Sequence, residues 1–322
     1  MKGLKFLLLL FVSLAFYQGS FAQKTYRLGF YNFENLFFPE DDSLTRDEEF
    51  TPDGMRRWNN YKYFKKLDQL SRVISIMGEW SSIDVLAFCE VEEERCIRDL
   101  IQRKALQKTK YKVSYAKSED RRGIDVGLIY NSESFRLHKD TSIKVRTKDQ
   151  PEFRTRDILH SILISNSNDT IHFFVNHWPS KYRGKLESEP LRLLASNTLS
   201  EYVQRNVPKK AMLICMGDFN DAPEERSILN LEKNTAWTNL LAENNNGTHK
   251  YQADWSTIDQ AFVSQSFLKA FNPKLTVFNE KFLLQNDDKF LGEKPRRSFN
   301  GMVYDSGGFS DHLPIYVDII SP

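Results

Sequence analysis

Two stretches of the chain combine residue types that can bind a cation and move protons. In GDFND, Asp218 and Asn220 follow the apolar run 211–216, which Gly217 interrupts. In FSDHLP, a carboxylate and an imidazole are adjacent at Asp311 and His312. Because burial of unpaired polar groups is energetically costly, these side chains are expected to face a cleft where a strand ends. The alternative is an ordinary turn, since Asp, Asn and Gly are also turn residues.

The same arrangement recurs along the chain, where polar residues end or interrupt other apolar runs. Each instance has an ordinary structural explanation, such as a solvated acidic run at Glu90, a core histidine at His177 or a turn cap at Asp259. Together, carboxylate, amide and imidazole groups at strand ends favour a site for a hard cation with general acid/base chemistry. The candidates are Asn32, Glu90, His177, Asp218, Asn220, Asp259, Asp311 and His312.

Residues 1–22 have the pattern of a secretory signal peptide. Two lysines precede the apolar run 6–16, and Ser20 and Ala22 supply small residues for cleavage before Gln23. The apolar run is too short for a permanent transmembrane helix. The sequence therefore predicts an exported protein, periplasmic or extracellular. Removing the two lysines from a chain of formal net charge +2 leaves the mature chain without net charge, which does not exclude a polyanionic substrate, because local patches set the field at a groove.

Residues 23–322 are predicted to form a single domain, because no Pro/Gly/Ser linker or charge block divides them. The three cysteines, Cys89, Cys96 and Cys215, are an odd number for an exported chain. Cys89 and Cys215 lie in strand-like runs, where a free thiol behaves as a small hydrophobe. A disulfide framework is therefore not expected, which favours a bacterial envelope as the location.

The hydrophobic pattern predicts short strands that alternate with a few helices. Helical spacing over 61–80 places an apolar stripe that is expected to be core, and a second helix is predicted over 191–203. The stretch 279–308 has little periodicity and is predicted to be a surface loop, a kind of segment that often carries binding function. The main strands are predicted at 26–31, 85–89, 124–130, 158–164, 171–175 and 211–216.

The motifs FYNFENLF, VLAFCEVE, VNHWPS, GDFND, STIDQAFVS and SDHLP, in this order, resemble those of the endonuclease/exonuclease/phosphatase superfamily, over residues 32–314. The resemblance is to DNase-like metal-dependent phosphodiesterases in a secreted bacterial branch. It implies an α+β fold, a four-layer α/β sandwich in which two mixed β-sheets pack face to face with helices on both outer faces. It also implies hydrolysis of phosphoester bonds with Mg2+ or Mn2+.

The resemblance also implies roles for individual residues. Glu90 is expected to be the main metal ligand, with Asn32 and Asp311 completing the shell. Oxygen ligands of this kind suit Mg2+. Asp218 is expected to orient or deprotonate the attacking water, and Asn220 to hold the scissile phosphate.

The histidines and arginines complete the implied site. His312 is expected to contact a phosphoryl oxygen or move a proton, with Asp259 fixing its tautomer and raising its basicity. His177 is similar to the second histidine of the DNase-like and sphingomyelinase-like branches and is expected to protonate the leaving group. Arg156 resembles the phosphate-contacting arginine of the family, and Arg154 is a second candidate.

Other basic residues are weaker candidates for substrate binding. Arg122 precedes a strand, and Lys181 follows His177. For each of them, an ordinary position on a solvated surface is the stronger explanation, but several on one rim form a track for a polyanion. Asp125, at the start of a strand, is a candidate partner for His177.

These observations predict an exported, divalent-metal-dependent phosphodiesterase, an endonuclease that hydrolyses DNA or RNA. One alternative keeps the chemistry and changes the substrate to an inositol phosphate, for a phosphatase, or to a phospholipid, for a sphingomyelinase-like enzyme. Another is a non-catalytic nucleotide- or glycan-binding envelope protein, although none of the ligand or base positions is missing. No obligate protein partner is evident, and a monomer is expected.

Overall fold

Eighteen strands and five α-helices form the part of the chain that the computed structural model describes, residues 25–147, 152–182, 184–242 and 247–320. The predicted signal peptide lies outside these residues. The strands are β1 (Thr25–Leu36), β2 (Val85–Val91), β3 (Tyr111–Ala116), β4 (Asp125–Asn131), β5 (Phe135–Ile143), β6 (Ile158–Ser165), β7 (Thr170–His177), β8 (Met212–Asp218), β9 (Thr238–Leu240), β10 (His249–Tyr251), β11 (Asp254–Ser256), β12 (Asp259–Val263), β13 (Lys274–Val277), β14 (Leu284–Asn286), β15 (Glu293–Pro295), β16 (Phe299–Asn300), β17 (Val303–Tyr304) and β18 (Ile315–Ile320). The helices are α1 (Asn60–Met77), α2 (Glu94–Ile101), α3 (Lys185–Asn206), α4 (Arg226–Thr235) and α5 (Gln265–Phe271).

Twelve of the strands form two six-stranded sheets, with the orders β13-β18-β1-β2-β4-β3 and β5-β6-β7-β8-β12-β9. Each sheet has one central parallel pair, β1 with β2 and β7 with β8, and its other neighbours are antiparallel. Both sheets are therefore mixed. The carboxyl ends of two parallel strands meet at one edge of a sheet, so each pair delivers the residues that follow it to a common rim.

Successive side chains of a strand point to opposite faces of its sheet, so each sheet can bury one face against the other sheet and the opposite face against helices. On β7, Phe173 and Val175 join the core that also contains the first sheet, whereas Phe174 points to the other face. That outer face packs against Ala195 and Leu199 of α3. Helices α1 and α2 contact the first sheet. The predicted α+β sandwich of two mixed sheets with helices is therefore confirmed.

The apolar stripe predicted for helix α1 is only partly buried. Leu67, Leu70 and Met77 are fully buried, as the helical spacing indicated. Tyr61 and Phe64, however, are 69% and 40% exposed, so the prediction that they belong to the core is wrong. Tyr63, which lies between them in the same turn, is fully buried, so the buried face of the helix is shifted from the face predicted. Among the helices of the described residues, none combines the length and the apolar character needed to cross a bilayer.

The predicted surface loop over 279–308 contains two β-hairpins, β14 with β15 and β16 with β17. The prediction of a loop without strands is therefore wrong. The strands were missed since each has only two or three residues, which is too short to show a hydrophobic period. Phe299 in β16 is buried against Phe50 and Trp58, so this segment belongs to the aromatic core. All three cysteines are free and buried.

Candidate active site

The two parallel strand pairs bring the chemistry-bearing residues together at one rim. His177 and Asp218 are the last residues of β7 and β8, and they are direct partners in the register of that pair. Asp259, the first residue of β12, pairs with Asp218 from the other side. Asn32 and Glu90 occupy the corresponding region of β1 and β2. Residues far apart in sequence thus converge because the sheet places their strand ends side by side.

Glu90 and Asn32 form the oxygen-rich part of the site. Glu90 lies in a bulge with a φ of +61°, a backbone conformation that persists in a non-glycine residue only where its surroundings hold it. Its Oε2 accepts a hydrogen bond of 2.9 Å from the Asn35 backbone N–H. Asn32 Nδ2 donates to Glu90 Oε1 at 3.3 Å and to Asp218 Oδ2 at 3.2 Å. The Asn32 amide is neutral and does not offset the charge of the two carboxylates, but its two hydrogen bonds hold them next to each other.

Asp218 lies at the centre of the cluster and is buried. Its Oδ1 accepts from the Asn220 backbone N–H at 2.9 Å. Burial, which disfavours the charged form, raises the pKa of Asp218 to about 7; the neighbouring His312 acts against this shift, and Asp259 and Glu90 add to it. A carboxylate with a raised pKa beside two imidazoles is suited to accept a proton from water.

His312 is held by a buried carboxylate. Its Nδ1 lies 2.8 Å from Asp259 Oδ2, and its Nε2 lies 3.9 Å from Asp218 Oδ2. Burial alone would lower the pKa of His312, but the bond to Asp259 and the charge of Asp218 outweigh it, so the pKa lies well above its usual range. His312 is therefore favoured as a cationic imidazolium that points its free N–H into the site.

His177 lies on the other side of Asp218, and its pKa is shifted in the direction opposite to that of His312. Its Nε2 is 3.7 Å from Asp218 Oδ2 and 3.8 Å from Glu90 Oε1. Burial, and next the charges of Arg156 and Arg122, lower its pKa well below the usual range. Within the described residues, its Nδ1 has no hydrogen-bond partner.

Asp125 is not the partner of His177, and that prediction is wrong. The Asp125 carboxylate accepts hydrogen bonds from the Ser118 backbone N–H at 2.9 Å and from the Tyr115 hydroxyl at 3.0 Å. It therefore fastens the start of β4 to the segment after β3.

Asn220 and Arg156 meet at the carbonyl of Trp178. Asn220 Nδ2 donates to this oxygen at 3.0 Å, and an Nη atom of Arg156 donates at 2.8 Å. Asn220 has a φ of +52°, which turns the chain sharply after β8 and keeps its side chain at the rim. Both residues lie where a phosphate contact was predicted, and that contact remains a prediction.

Three further basic candidates lie near the rim, and each of their side chains has a polar partner. Arg122 donates to the side chain of Asn35, and Arg154 Nε lies 2.9 Å from Glu119. Lys181 Nζ lies 2.6 Å from Glu225. These arginines line one cavity with Arg156, whereas Lys181 is not among the residues that line it. Their contacts with substrate remain predictions.

Asp311 belongs to a partly buried charge network that sequence reasoning missed. Its Oδ2 lies 3.0 Å from an Nη atom of Arg297, and Arg297 Nε donates to Glu34 at 3.0 Å. Lys66 lies 3.5 Å from Glu34 and is fully buried. Burial raises the pKa of Asp311, but Arg297 and the neighbouring histidines outweigh this and hold it at about 2. The only sequence signal for Lys66 was its place on the apolar face of a helix, where a charged residue is unusual.

His249 is a second residue that the sequence did not indicate. It lies in a bridge with His312, and the two ring centroids are 4.8 Å apart. Burial, and next the charge of His312, lower the pKa of His249 to about 4. The residue belongs to the β10–β11 hairpin, and only the position of that hairpin brings it to the site.

The donor set fits a divalent cation that prefers oxygen. Glu90 and Asp218 contribute carboxylate oxygens, and one oxygen of Asp259 is buried without a hydrogen-bond partner in the described part of the chain. Asp218, Asp259 and His312 also offer ligand atoms that all lie within 4.8 Å of one another. Asn32 points its nitrogen to the carboxylates, so coordination through its oxygen requires a turn of the amide. The chemistry suits a divalent cation, and the role of Glu90 as its principal ligand remains a prediction.

Comparison with known proteins gives a consistent family relationship. A model of the endonuclease/exonuclease/phosphatase family matches residues 27–321. No curated protein matches the chain.

Several solved structures share the fold. A humanized form of TDP2 from D. rerio has a TM-score of 0.60 and 14% identity, covering 92% of this chain and 98% of that chain. A mannosyl-6-phosphatase from Bacteroides thetaiotaomicron has a TM-score of 0.59 and 15% identity, covering 91% and 99%. A beta toxin from Staphylococcus aureus with bound magnesium ions has a TM-score of 0.61 and 15% identity, covering 93% and 100%. At these identities the structures establish the fold alone.

Proposed function

The chain belongs to the endonuclease/exonuclease/phosphatase family, whose members are metal-dependent phosphoester hydrolases, and on that basis we propose that it hydrolyses phosphodiester bonds in DNA or RNA. The superfamily that the motifs predicted is thereby confirmed. The observation that carries the proposal is the position of Asp218 between two imidazoles, 3.7 Å from His177 Nε2 and 3.9 Å from His312 Nε2.

Each group in the site has a distinct task. A divalent cation, when bound, supplies Lewis-acid stabilisation of charge on the phosphoryl group. Glu90 would hold that cation, with Asn32 and Asp311 as the further ligands predicted. Asp218, with its raised pKa, would orient the attacking water and take its proton. His312 would donate its Nε2 hydrogen to a phosphoryl oxygen, since Asp259 keeps it protonated.

The histidines are not equivalent in this proposal. The pKa directions favour His312 as the cation and His177 as a neutral imidazole. A neutral His177 can still donate one N–H hydrogen bond to the leaving oxygen or to the phosphate. To act as the acid that protonates the leaving group, His177 would have to gain a proton after the substrate binds. The negative charge of the bound phosphate beside His177 would favour this gain.

Nucleic acid is favoured as substrate by the arginines beside the site. Arg122, Arg154 and Arg156 line one cavity there, and their planar guanidinium groups suit phosphate oxygens. We also propose that residues 1–22 direct export and are removed before Gln23. Mass spectrometry of the protein secreted by an expressing cell tests this, since a retained N-terminus contradicts it.

The test of function is hydrolysis by residues 23–322 of supercoiled plasmid and of bis-p-nitrophenyl phosphate, with Mg2+, with Mn2+ and with EDTA. We expect metal-dependent nicking that falls by on the order of 10²–10⁴-fold in His312→Ala. His138→Ala is the matched control, because His138 is an exposed histidine on β5. Turnover of the small diester without nicking would move the substrate to an inositol phosphate or a phospholipid. No turnover of either compound would favour a non-catalytic binding protein.

A further inference from the structure

Arg192 is a fully buried charge in helix α3, close to the catalytic rim. It lies in the run PLRLLAS and is 0% exposed. A charged side chain loses its hydration when it is buried, so it persists inside a protein only where an ion-pair partner and hydrogen bonds replace the water. The location of those partners therefore indicates what Arg192 does.

The guanidinium group of Arg192 joins two loops that follow neighbouring strands. The first loop, residues 178–181, continues from His177 at the end of β7. The second loop, residues 219–222, continues from Asp218 at the end of β8. Because β7 and β8 are parallel partners, the two loops leave the sheet side by side.

Each loop has a direct contact with the guanidinium group. Arg192 Nε lies 2.7 Å from Asp221 Oδ1, in the second loop. An Nη atom donates to the Pro179 carbonyl, in the first loop, at 3.3 Å. The group also donates to Ser188 Oγ at 2.7 Å and to the Lys185 carbonyl at 3.2 Å, which fixes it to the first turns of α3. Since a guanidinium group is planar and its donors have fixed directions, these contacts set the separation of the two loops.

Both anchored residues are close in sequence to groups that are proposed to act on the substrate. Pro179 is two residues after His177. Asp221 is three residues after Asp218 and directly follows Asn220. The distance of 3.7 Å between His177 Nε2 and Asp218 Oδ2 thus depends on how the two loops are held.

Other contacts between the loops are weaker or more exposed. The Trp178 backbone N–H donates to the Asp218 carbonyl at 2.9 Å, at the very start of the loops. Lys181 Nζ lies 3.4 Å from Asp221 Oδ1, but it is partly exposed and lies closer to Glu225, at 2.6 Å. The buried guanidinium group is therefore the rigid connection at the later positions of both loops.

A buried ion pair of this kind is expected to contribute little to the free energy of unfolding. The loss of hydration of the two ions offsets most of their attraction, so replacement of both by uncharged side chains of similar volume is often neutral or stabilising. The effect on the reaction is different, because a displacement of reacting groups by about 1 Å can lower the rate by about 10²-fold.

We propose that the Arg192–Asp221 pair is a positioning element of the active site, which holds His177 and Asp218 at the separation that hydrolysis requires. The inference rests on the proposed phosphodiesterase function and adds two buried residues to it. Neither residue is assigned a contact with the cation or the substrate, so the pair acts through the loops alone.

The first test is the double variant Arg192→Met with Asp221→Asn, which removes both charges and roughly keeps the volume of both side chains. With Mg2+ and residues 23–322, kcat for bis-p-nitrophenyl phosphate should fall by about 10²-fold, while KM stays close to the wild-type value. The midpoint of thermal unfolding should change by less than about 4 °C. The matched control is Arg205→Met with Glu201→Gln, an exposed ion pair on the same helix, which should retain wild-type kcat.

Two single variants separate the geometry of the guanidinium group from its charge. Arg192→Lys keeps the charge but cannot span both loops, so its kcat should also fall. Arg192→Ala leaves a space that adjoins a cavity of about 310 Å³, which both Arg192 and Asp221 line. Millimolar guanidinium chloride should therefore restore part of the kcat of Arg192→Ala, whereas the same concentration of NaCl should not.

Wild-type kcat in the Arg192→Met, Asp221→Asn variant would overturn the proposal. A loss of kcat that parallels a loss of thermal stability, without recovery in guanidinium chloride, would also overturn it, because the pair would then serve folding alone. Failure of the proposed function gives a different result, since the wild-type protein itself would hydrolyse no diester. An active wild-type protein with equally active variants loses only the positioning role of the pair.

Discussion

The substitution Asp259→Asn removes the charge that holds His312 while keeping the size of the side chain and an acceptor oxygen. Asp259 Oδ2 lies 2.8 Å from His312 Nδ1, and both residues are buried. At an effective dielectric constant of about 20, unit charges at this separation attract by about 6 kcal/mol. Burial of the imidazolium opposes part of this attraction, and the remainder keeps His312 protonated.

Loss of that charge should leave His312 neutral, while the amide oxygen of the substituted side chain can still accept from Nδ1. We expect kcat/KM for bis-p-nitrophenyl phosphate to fall by on the order of 10²–10⁴-fold, the range for a general acid or base. Because the main contact of Asp259 in the site is its 2.8 Å bond to His312, the double variant with His312→Ala should lose little more activity than His312→Ala alone. Residues that act as a unit are strongly non-additive in this way.

The assay is steady-state hydrolysis at saturating Mg2+, with circular dichroism to verify folding of each variant. Asp254→Asn is the control, since Asp254 is exposed on β11, close to Asp259 in sequence. Additive losses in the double variant, or near wild-type activity in Asp259→Asn, would refute the pairing as the source of the His312 charge.

Three further predictions concern pH, metal and stability. Burial, and next the charges of His172 and Lys139, lower the pKa of His160 to about 3. In the unfolded state the imidazole has its ordinary pKa of about 6.5, so below that pH the unfolded state binds a proton that the folded state does not. The contribution of His160 to the free energy of unfolding is therefore complete above about pH 6.5 and is lost as the pH falls toward 3. In urea unfolding, this group should make the protein less stable by about 2 kcal/mol at about pH 5 than at about pH 8, and His160→Asn should flatten the dependence while His138→Asn does not. Glu90→Gln should abolish calorimetric binding of Mg2+ without unfolding the protein, and unchanged affinity would remove Glu90 as the principal ligand. Lys66→Met should destabilise the fold by about 3 kcal/mol, because it leaves the buried Glu34 with one cation fewer; a loss near zero would show that Arg297 alone suffices.

The candidate site was predictable to the extent that it follows local rules. A buried strand that ends in Asp218 or His177 is visible as an apolar run broken by a polar residue, and both residues lie at strand ends in the structure. The order of the motifs along the chain predicted the family. The helix α3 was recognised but placed too short, because its first turns are rich in charged residues and Pro190.

Elements with weak local patterns were missed. Strand β5 alternates poorly and carries Arg136, His138, Lys139 and Asp140 on exposed positions, as is common at the edge of a sheet. The hairpins within 279–308 are too short for a period to be measured. These elements exist because neighbouring strands and the aromatic core offer them partners, which a local pattern does not encode.

The amino-acid sequence by itself determined which residue types lie at strand ends, and the order of its motifs indicated the superfamily and, through it, the hydrolytic chemistry. Only the tertiary structure decided how those residues are paired. In the structure, the ring of His249 packs against that of His312. Asp125 accepts a hydrogen bond from Ser118 and does not pair with His177. Lys66 is buried beside Glu34. Periodicity records the environment of each residue along its own strand or helix. Distances between residues far apart in the chain, and the pKa shifts that follow from them, depend on how the two sheets and their hairpins pack.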